Sequence, residues 1–299
     1  MRACTQQDYR ARILAVLQHI HGHLDHALSL AELARLAHFS PYHFHRVFHG
    51  MVGESVMELV RRLRMERAAH RLRHGHDPVT HIAFEAGYEA HESFTRAFRA
   101  MFGESPSAFR GGVTPLVCKC VPSGVHYQAD GQVQDFVTMD TGGTTMEVEV
   151  RTLPPMHVAY VRHVGPYTTC KAAWDKLCGW AGPRGLLGPQ TRCLGICYDD
   201  PEATPPDQIR YDACVTVDPT CQGGGEVGVQ DIPGGEYAVA LHRGSYSNLH
   251  RTWKQFLGEW LPASGRELGD APSFELYCND PHTTPEQDLL VEIYVPLGS

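Results

Sequence analysis

The C-terminal half of the sequence contains one segment twice, and this duplication restricts the fold more than any other feature. Residues 148–174 align with 227–253 at a constant offset of 79, and 200–215 align with 280–295 at an offset of 80. That period is too long for the repeats of a solenoid. The sequence therefore predicts two copies of one supersecondary unit, packed about a pseudo-twofold axis.

Each copy is predicted to contain strands around a single helix. Alternating apolar residues in "VAYVRHV" (158–164) and "YAVALHR" (237–243) indicate strands with one buried face. A helix follows around the tryptophan of each copy, and a strand pair ends the copy in "RYDACVTV" (210–217) or "LLVEIYVPL" (289–297). We expect an α+β domain at 144–299, made of a duplicated strand–helix–strand–strand unit with antiparallel sheet.

The N-terminal part is also duplicated, but with the periodicity of helices. "LARLAHFSPYHFHRVFHGMVGES" (33–55) aligns with "IAFEAGYEAHESFTRAFRAMFGES" (82–105) at an offset of 49, which becomes 50 after one extra residue. Ser40 and Pro41 are typical of a helix start, as N-cap and first helical residue. We expect an all-α domain at 1–112. The matched positions include two phenylalanines and one arginine in each copy, namely Phe44, Arg46 and Phe48, and Phe94, Arg96 and Phe98.

The two halves differ in charge, although the whole chain carries −8. Residues 1–112 contain 14 Arg, no Lys and 11 Asp and Glu, a net charge of +3, and 13 of the 19 histidines. Residues 113–299 carry −11. A basic half joined to an acidic half indicates a different partner for each. Between them, residues 113–143 have glycines, prolines and little periodicity, which predicts a linker.

Membrane, metal and cofactor signals are weak. The sequence has no apolar run of membrane-spanning length and no signal-peptide pattern at its start, so we expect a cytoplasmic protein with no membrane partner. The ten cysteines form no CxxC pair, which favours reduced, mostly buried thiols over a zinc site. His19, His23 and His26 form one stripe, but no fourth ligand is evident. We expect neither a metal nor a cofactor.

A helical wheel divides residues 42–51 into an apolar and a polar side. Two such helices with uncovered polar faces are typical of helix-turn-helix motifs, whose second helix enters the major groove. In the first copy Phe44, Val47, Phe48 and Met51 are apolar, and Tyr42, His45, Arg46 and His49 are polar. In the second copy Phe94 and Phe98 are inside, and Glu92, Thr95, Arg96 and Arg99 are outside.

Residues 30–110 resemble the double helix-turn-helix DNA-binding domain of the AraC/XylS family of bacterial transcription regulators. The matching text is "LAELARLAHFSPYHFHRVFHGMVGESVMELVRRLRMERA" and "VTHIAFEAGYEAHESFTRAFRAMFGESPSAFR". The resemblance implies two recognition helices in successive major-groove segments of promoter DNA, about 34 Å apart, with helix 55–73 as a rigid spacer. The implied DNA-reading residues are Tyr42, His45, Arg46, His91, Glu92, Thr95 and Arg96.

Alternative roles remain for three of these residues. Arg46 and Arg96 could contact phosphate or a local carboxylate instead of bases. Glu92 could accept a hydrogen bond from cytosine, or orient Arg96.

Residues 146–297 resemble the GyrI-like (DNA gyrase inhibitor-like) effector-binding domain of multidrug-responsive regulators. The matching stretches are "VAYVRHVGPY", "DDP…RYDACVTV", "PGGEYAVALHRGSY" and "PSFELYCNDP…LVEIYVPL". The resemblance implies a cleft between two duplicated halves that binds amphipathic, often cationic, aromatic compounds. A carboxylate in an apolar cleft favours a cation, and aromatic faces add cation–π attraction.

The same resemblance implies the ligand-binding residues. Glu275 in "FELY" matches the cleft carboxylate, and Tyr277 lies two residues on, on the same strand face. Glu292 and Tyr294 in "VEIY" match a cleft-facing pair of the neighbouring strand. Gly195 stands at the equivalent of Glu275 in the first copy, so a single acidic anchor is expected. A surface strand carboxylate is the alternative for Glu275. Weaker aromatic candidates are Trp253, Tyr160 and Tyr167, since a helical Trp is more often core packing.

Together these patterns predict a ligand-responsive transcription regulator with promoter DNA and a small-molecule effector as partners. RNA polymerase is a further expected partner, and the protein would associate with the nucleoid when bound to DNA. Two alternatives are a GyrI-like hydrolase of reactive small molecules, with Glu275 as general acid or base, and a protein that only sequesters a drug. No Ser/His/Asp or Cys/His spacing supports catalysis, and we expect no catalytic residues.

Overall fold

The structure is a computed structural model in which the chain forms two compact units. The first, here called the sheet unit, comprises Met1–Gln6, Phe39–Val47 and Asp140–Ser299, and the second, the helical unit, comprises Gln7–His38 and Phe48–Met139. Residues 113–120 and 140–143 of the predicted linker lie outside the described part of the chain. The structure describes residues 6–112, 121–139, 146–201 and 204–298.

Residues 6–112 are helical, as the sequence predicts. The helices are α1 (Gln6–Gly22), α2 (Leu30–Leu36), α3 (Phe44–Val52), α4 (Val56–His74), α5 (Val79–Glu85), α6 (His91–Phe102) and α7 (Pro106–Gly111). The pairs α2–α3 and α5–α6 form two helix-turn-helix motifs, and α4 joins them. The boundary between the two units falls within α3, after Val47.

Local signals fix the helix boundaries of the helical unit. Helix α4 begins with a capping box, in which Ser55 Oγ accepts a hydrogen bond from the Glu58 amide at 3.2 Å and Glu58 Oε2 accepts one from the Ser55 amide at 2.8 Å. The two helix-turn-helix turns pass through left-handed backbone at His38 (φ +54°) and Gly87 (φ +86°). Glycine enters this region without steric cost, whereas histidine is unusual there.

The second helix-turn-helix motif packs around the aromatic side of α6. Phe94 and Phe98 are fully buried and contact Ile82 of α5, Leu72 of α4 and Phe109 of α7. This is the apolar side that the helical wheel predicts. Burial of these two large aromatic side chains stabilises the small motif by removing apolar surface from water.

Residues 121–139, within the predicted linker, contact α1 and α4 of the helical unit. The buried Glu66 carboxylate accepts hydrogen bonds from the Tyr127 amide at 2.8 Å and lies 3.1 Å from His126 Nδ1. Arg10 donates to Asp135 at 2.6 Å, and its guanidinium lies 4.8 Å from the Phe136 ring centroid. This segment has no helix or strand, and its contacts with side chains hold it on the helices.

The sheet unit is built on one antiparallel sheet of eight strands among its described residues. Helix α8 (Lys171–Ala181) follows the first two strands in the chain, and α9 (Leu249–Gln255) follows the equivalent two strands of the second copy. A π-helical turn, Phe256–Trp260, and α10 (Leu261–Ser264) extend α9. The strands are β1 (Val148–Leu153), β2 (Met156–Val164), β3 (Cys193–Cys197), β4 (Arg210–Thr216), β5 (Gly228–Ile232), β6 (Gly235–Arg243), β7 (Phe274–Tyr277) and β8 (Leu290–Pro296).

The strand order shows the predicted duplication. It is β1-β6-β8-β7-β3-β4-β2-β5, so each strand of the first copy has its equivalent at the same distance on the other side of the β3–β7 pair. Gly195 of β3 lies opposite Glu275 of β7, and the two positions are equivalent in the repeats. The pseudo-twofold axis therefore passes through this residue pair. The outer strands are exchanged, because β1 pairs with β6 and β5 pairs with β2.

The two faces of this sheet carry different residues. One face, here called the helix face, packs Val161, Ala213 and Val215 against Ala173 and Leu177 of α8. The other face, here called the far face, has its own apolar cluster, which includes Leu194, Ile196, Phe274 and Tyr294. Within the described residues, no helix is long and apolar enough to cross a membrane.

Candidate functional sites: a carboxylate cleft and two helix faces

The Glu275 carboxylate lies on the helix face at the pseudo-twofold axis and is only 7% exposed. Trp253 Nε1 of α9 donates a hydrogen bond to Glu275 Oε1 at 2.8 Å. The Tyr277 hydroxyl donates to Glu275 Oε2 at 3.1 Å, as expected for residues two apart on one strand. Trp253 is also buried. Both carboxylate oxygens are thus held by neutral aromatic donors.

Three further aromatic residues extend this network into the first copy. The Tyr211 and Tyr277 hydroxyls are 2.9 Å apart, and Trp174 Nε1 donates to the Tyr211 hydroxyl at 3.1 Å. Tyr167 packs edge-on against Tyr211, with ring centroids 5.7 Å apart. Helices α8 and α9 therefore each supply a tryptophan to a group of tyrosines around one carboxylate. We call this group of side chains the Glu275 cleft.

Burial keeps the phenols of the cleft neutral. It raises the pKa of Tyr211 and of Tyr277 well above the usual value, and the nearby Glu275 charge raises both further. Burial likewise raises the pKa of Tyr246 to about 12, with Glu275 again adding to the shift. At neutral pH these side chains are hydrogen-bond donors, so the Glu275 carboxyl group has neutral aromatic donors around it.

Arg46 occupies this cleft. Its guanidinium lies 4.2 Å from the Trp253 ring centroid, and Arg46 NH2 donates to the Asp199 carbonyl at 3.1 Å. Burial acts to lower the pKa of Arg46, but the surrounding Tyr167, Cys197, Asp200 and Glu275 side chains outweigh that effect and raise it. The guanidinium is therefore a buried cation, and the ring that it lies over also donates to the Glu275 carboxylate.

The residues before Arg46 are held in the same unit. His43 Nε2 lies 2.8 Å from Ser273 Oγ, and His43 Nδ1 lies 2.8 Å from Ser40 Oγ. Burial and, to a smaller extent, the Arg46 charge lower the pKa of His43 to about 3, so this imidazole is neutral. His45 Nδ1 lies 2.8 Å from Asp200 Oδ2. The Tyr42 ring contacts the Tyr198 ring edge-on, with ring centroids 5.9 Å apart.

The expectation of an uncovered polar face on the first recognition helix was wrong. His45, Arg46 and His49 are buried, and Tyr42 is half-buried. The helix also begins at Phe44 instead of Pro41, so Tyr42 precedes it. For Tyr42, His45 and Arg46 the cause is tertiary, because acceptors and rings of the sheet unit contact these side chains.

The second recognition helix keeps the expected face. His91, Glu92 and Arg96 of α6 are exposed, and Thr95 is half-buried with its hydroxyl making no hydrogen bond. Arg96 NH2 donates to Ser93 Oγ of the same helix at 3.3 Å. The three exposed side chains can reach a nucleic-acid surface without rearrangement of the helix, whereas the Thr95 hydroxyl is buried. Whether they read DNA stays a prediction.

The expectation that Glu292 and Tyr294 face the cleft was also wrong. Glu275 lies directly opposite Ile293 of β8, and directly opposed residues share a sheet face. Glu292 and Tyr294 are therefore on the far face, where Glu292 pairs with Arg151 at 2.8 Å. Tyr160 is on the far face as well, since it lies opposite Cys214. Of the predicted ligand-binding residues, Glu275, Tyr277, Trp253 and Tyr167 are in the Glu275 cleft.

Sequence reasoning did not identify Tyr211, Trp174 or Arg46 as part of the cleft. Trp174 carried a usable signal, because it is the repeat equivalent of Trp253. Tyr211 carried another, because Gly195 leaves room beside it: a Cβ at position 195 would lie 2.4 Å from the Tyr211 hydroxyl. Arg46 carried none, since its cleft partners are more than 150 residues away. Within the described ranges, no three His, Cys, Asp or Glu side chains converge as metal ligands would.

Comparison with known families agrees with both halves of this description. The "GyrI-like small molecule binding domain" matches residues 146–297, and a "Helix-turn-helix domain" of the AraC type matches residues 33–112. A helix-turn-helix domain joined to a small-molecule-binding domain defines a ligand-responsive transcription regulator. The chain belongs to the GyrI-like small molecule binding domain family.

Named relatives match about half of this chain. The "Probable transcriptional regulator YgiV" of Escherichia coli (strain K12) is 32% identical over 156 residues, which are 52% of this chain and 98% of the relative. A "DNA gyrase inhibitor" of Enterobacter lignolyticus is 32% identical over 157 residues, covering 51% and 98%. The crystal structure of the EcmrR C-terminal domain is 18% identical with a TM-score of 0.43, covering 52% of this chain and 99% of that chain.

Proposed function

We propose that the Glu275 cleft binds a lipophilic monovalent cation that contains aromatic rings. The observation that carries this proposal is the buried Glu275 carboxylate, whose two oxygens accept hydrogen bonds from Trp253 and Tyr277. A buried carboxylate is costly unless a cation compensates it. Aromatic ring faces favour such a cation by about 0.5–2 kcal/mol each. Multidrug binding is in keeping with such a site, because charge attraction and contact with ring faces do not require one particular ligand shape.

The helical unit would supply the DNA-binding half of the response. We propose that His91, Glu92, Thr95 and Arg96 contact one major-groove segment, since α6 presents them beside a well-packed apolar core. Tyr42, His45 and Arg46 would contact the next segment when they are released from the sheet unit. RNA polymerase, bound at the same promoter, is a proposed further partner. A protein that acts on promoters in this way works in the cytoplasm, at the nucleoid.

Regulation is favoured over catalysis. Ser273 and His43 are 2.8 Å apart, the separation of a nucleophile and its base. Both side chains are buried, however, and the His43 pKa of about 3 leaves it a poor base near neutral pH. A pair that neither reaches substrate nor accepts a proton supports no hydrolase. A purely drug-sequestering protein would have no use for the helix-turn-helix domain at residues 33–112.

Calorimetric titration of the full chain with tetraphenylphosphonium tests the ligand class. This probe is a monovalent cation surrounded by four aromatic rings. In the Arg46→Ala background, where the Arg46 guanidinium cannot compete with the probe, we expect Glu275→Gln, which keeps the side-chain shape and removes the charge, to weaken binding by about tenfold or more, since loss of about 1.4 kcal/mol of charge attraction gives that factor. Glu236→Gln, an exposed carboxylate on β6, should bind like the wild type.

Neutral triphenylphosphine oxide serves as the ligand control. It has aromatic rings and no net charge, so in the Arg46→Ala background it should bind weakly and equally with Glu275 and with Glu275→Gln. If tetraphenylphosphonium binds neither the wild type nor Arg46→Ala, or if its affinity in the Arg46→Ala background does not depend on Glu275, the proposed ligand class is wrong.

A further inference from the structure

We propose that residues 39–47 are an internal occupant of the Glu275 cleft, with Arg46 as its cation, and that this segment and the effector exclude each other. The inference rests on the proposed function, because it names the regulation of the same cleft. It assigns Arg46 two alternative partners: the cleft in the free protein, and DNA once an effector has displaced it.

Arg46 has the chemistry that the cleft requires of a ligand. Its planar guanidinium lies over the Trp253 ring at 4.2 Å, and that ring also donates to Glu275. Arginine is suited to this position because it stacks on aromatic faces and stays charged when buried. The environment raises the Arg46 pKa even though burial alone would lower it. The side chain is 7% exposed, so the cation is enclosed.

Two histidines that precede Arg46 hold the segment in place. His43 reaches Ser273, immediately before β7, and His45 reaches Asp200, shortly after β3. These two sites lie at the same end of the central strand pair, because the Cys197 amide donates to the Ser273 carbonyl there at 3.2 Å. The segment thus makes polar contacts with both copies of the duplicated unit, at the mouth of the cleft that their axis defines.

The internal repeat explains why only the first recognition segment can bind in this way. At the offset of 50, Arg46 corresponds to Arg96, but His43 and His45 correspond to Ser93 and Thr95. Serine and threonine are too short to reach partners where histidine does. Arg96 is exposed on α6. In the second copy the arginine therefore stays on the polar face of the helix. In the first copy the two histidines hold the equivalent arginine in the cleft.

The segment at residues 39–47 and an aromatic cation exclude each other from the cleft for reasons of geometry and charge. An aromatic cation that packs on the Trp253 ring needs the position of the Arg46 guanidinium. Two cations beside one buried carboxylate would leave one of them uncompensated, which costs several kcal/mol. Arg46 and His45, in turn, cannot contact DNA while they are buried. Effector binding therefore releases the first DNA-reading segment, while α6 is exposed in either state.

The first test is tetraphenylphosphonium affinity of the full chain by calorimetry. If the segment occupies the cleft in more than nine-tenths of molecules, fewer than one-tenth are free to bind the probe. Removal of the segment frees the cleft in all molecules, so probe binding should tighten at least tenfold. We expect this gain in Arg46→Ala. The matched control is Arg96→Ala, the repeat equivalent on α6, which should bind like the wild type. Equal affinity of Arg46→Ala and wild type overturns the inference.

The second test needs no ligand and uses amide hydrogen–deuterium exchange of residues 39–47. Glu275→Gln removes the counter-charge of Arg46 without altering the segment, and should accelerate this exchange at least tenfold, whereas Glu236→Gln should not. Tetraphenylphosphonium should accelerate it in the wild type. Unchanged exchange in Glu275→Gln overturns the inference, and so does unchanged exchange in the wild type at saturating probe.

The outcomes separate this inference from the proposed function. Glu275-dependent binding with no gain in Arg46→Ala preserves the ligand class and rejects the internal occupant. Failure of the probe to bind either protein, combined with faster exchange in Glu275→Gln, rejects the ligand class and preserves the internal occupant. Binding to Arg46→Ala but not to the wild type supports both.

Discussion

At the residue scale, the histidines of "SPYHFHRVFHG" illustrate what a local pattern can and cannot predict. Helical periodicity separates Phe44 and Phe48 from the polar residues, and both phenylalanines are buried as expected. The pattern does not indicate that His43 and His45 have partners at Ser273 and Asp200, because contacts across more than 150 residues leave no periodic trace. Strand alternation, in contrast, predicts that Glu275 and Tyr277 share a face, and their hydrogen bond lies on it.

Acidification should loosen the segment at residues 39–47. His43 has a pKa of about 3 in the folded chain, against a usual value of 6.5 when exposed. Because this folded pKa is depressed, the released state binds more protons below pH 6.5, and stability of the bound segment is lost as pH falls from there towards 3. Between pH 7.5 and 5.5 the loss should be about 1.4 kcal/mol in opening free energy.

The measurement is amide exchange of residues 39–47 at both pH values, corrected for intrinsic rates. The groups that face His43 are the hydroxyls of Ser40 and Ser273 and the Arg46 cation. In His43→Gln, whose amide can still bond Ser273, this pH-dependent loss should disappear. The same loss in His43→Gln as in the wild type would show that another group is responsible.

At the element scale, register decides which strand residues meet in the cleft. The alternation of side chains within "FELY" and within "VEIY" predicts correctly which residues of each strand share a face. Neither pattern contains the register of one strand against the other. The pairing of Glu275 with Ile293 puts Glu292 on the far face, beside Arg151. A one-residue difference in register moves every side chain of a strand to the other face, so the sequence predicted the strands but not their shared site.

The central strand β3 should tolerate no side chain at Gly195. A Cβ there would lie 2.4–2.7 Å from three atoms of the Tyr211 ring and hydroxyl. Tyr211 is buried and hydrogen-bonded within the cleft, so it cannot move without cost. We expect Gly195→Ala to destabilise the chain by about 1–3 kcal/mol in urea unfolding, and to weaken tetraphenylphosphonium binding.

Gly179→Ala is the matched control for this prediction. Gly179 lies in α8 with no atom within 4 Å of an added Cβ, so alanine there should be neutral or stabilising by about 0.5–1 kcal/mol. Equal stability and equal probe affinity of the two alanine variants would contradict the role assigned to Tyr211.

At the scale of the whole molecule, duplication is the feature that the sequence predicts best. The constant offset between the two sequence repeats predicts a pseudo-symmetric sheet. The strand order has that symmetry about Gly195 and Glu275. The exchange of β1 and β5 between copies was not predictable, because both arrangements leave the same hydrophobic pattern. The symmetry is broken at the axis: one copy supplies Glu275, the other supplies Gly195 and Tyr211, and together they form the Glu275 cleft.

The central claim is that effector binding in the cleft releases the first DNA-reading segment. Hydroxyl-radical footprinting tests it most directly, on a duplex that the full chain selects from a random library in the presence of tetraphenylphosphonium. Without the probe, we predict protection of one major-groove segment, contacted by α6. With saturating probe, protection should extend to a second segment about 10 base pairs away, and Glu275→Gln should show this extended footprint without the probe. Identical footprints of the wild type with and without the probe would contradict the account.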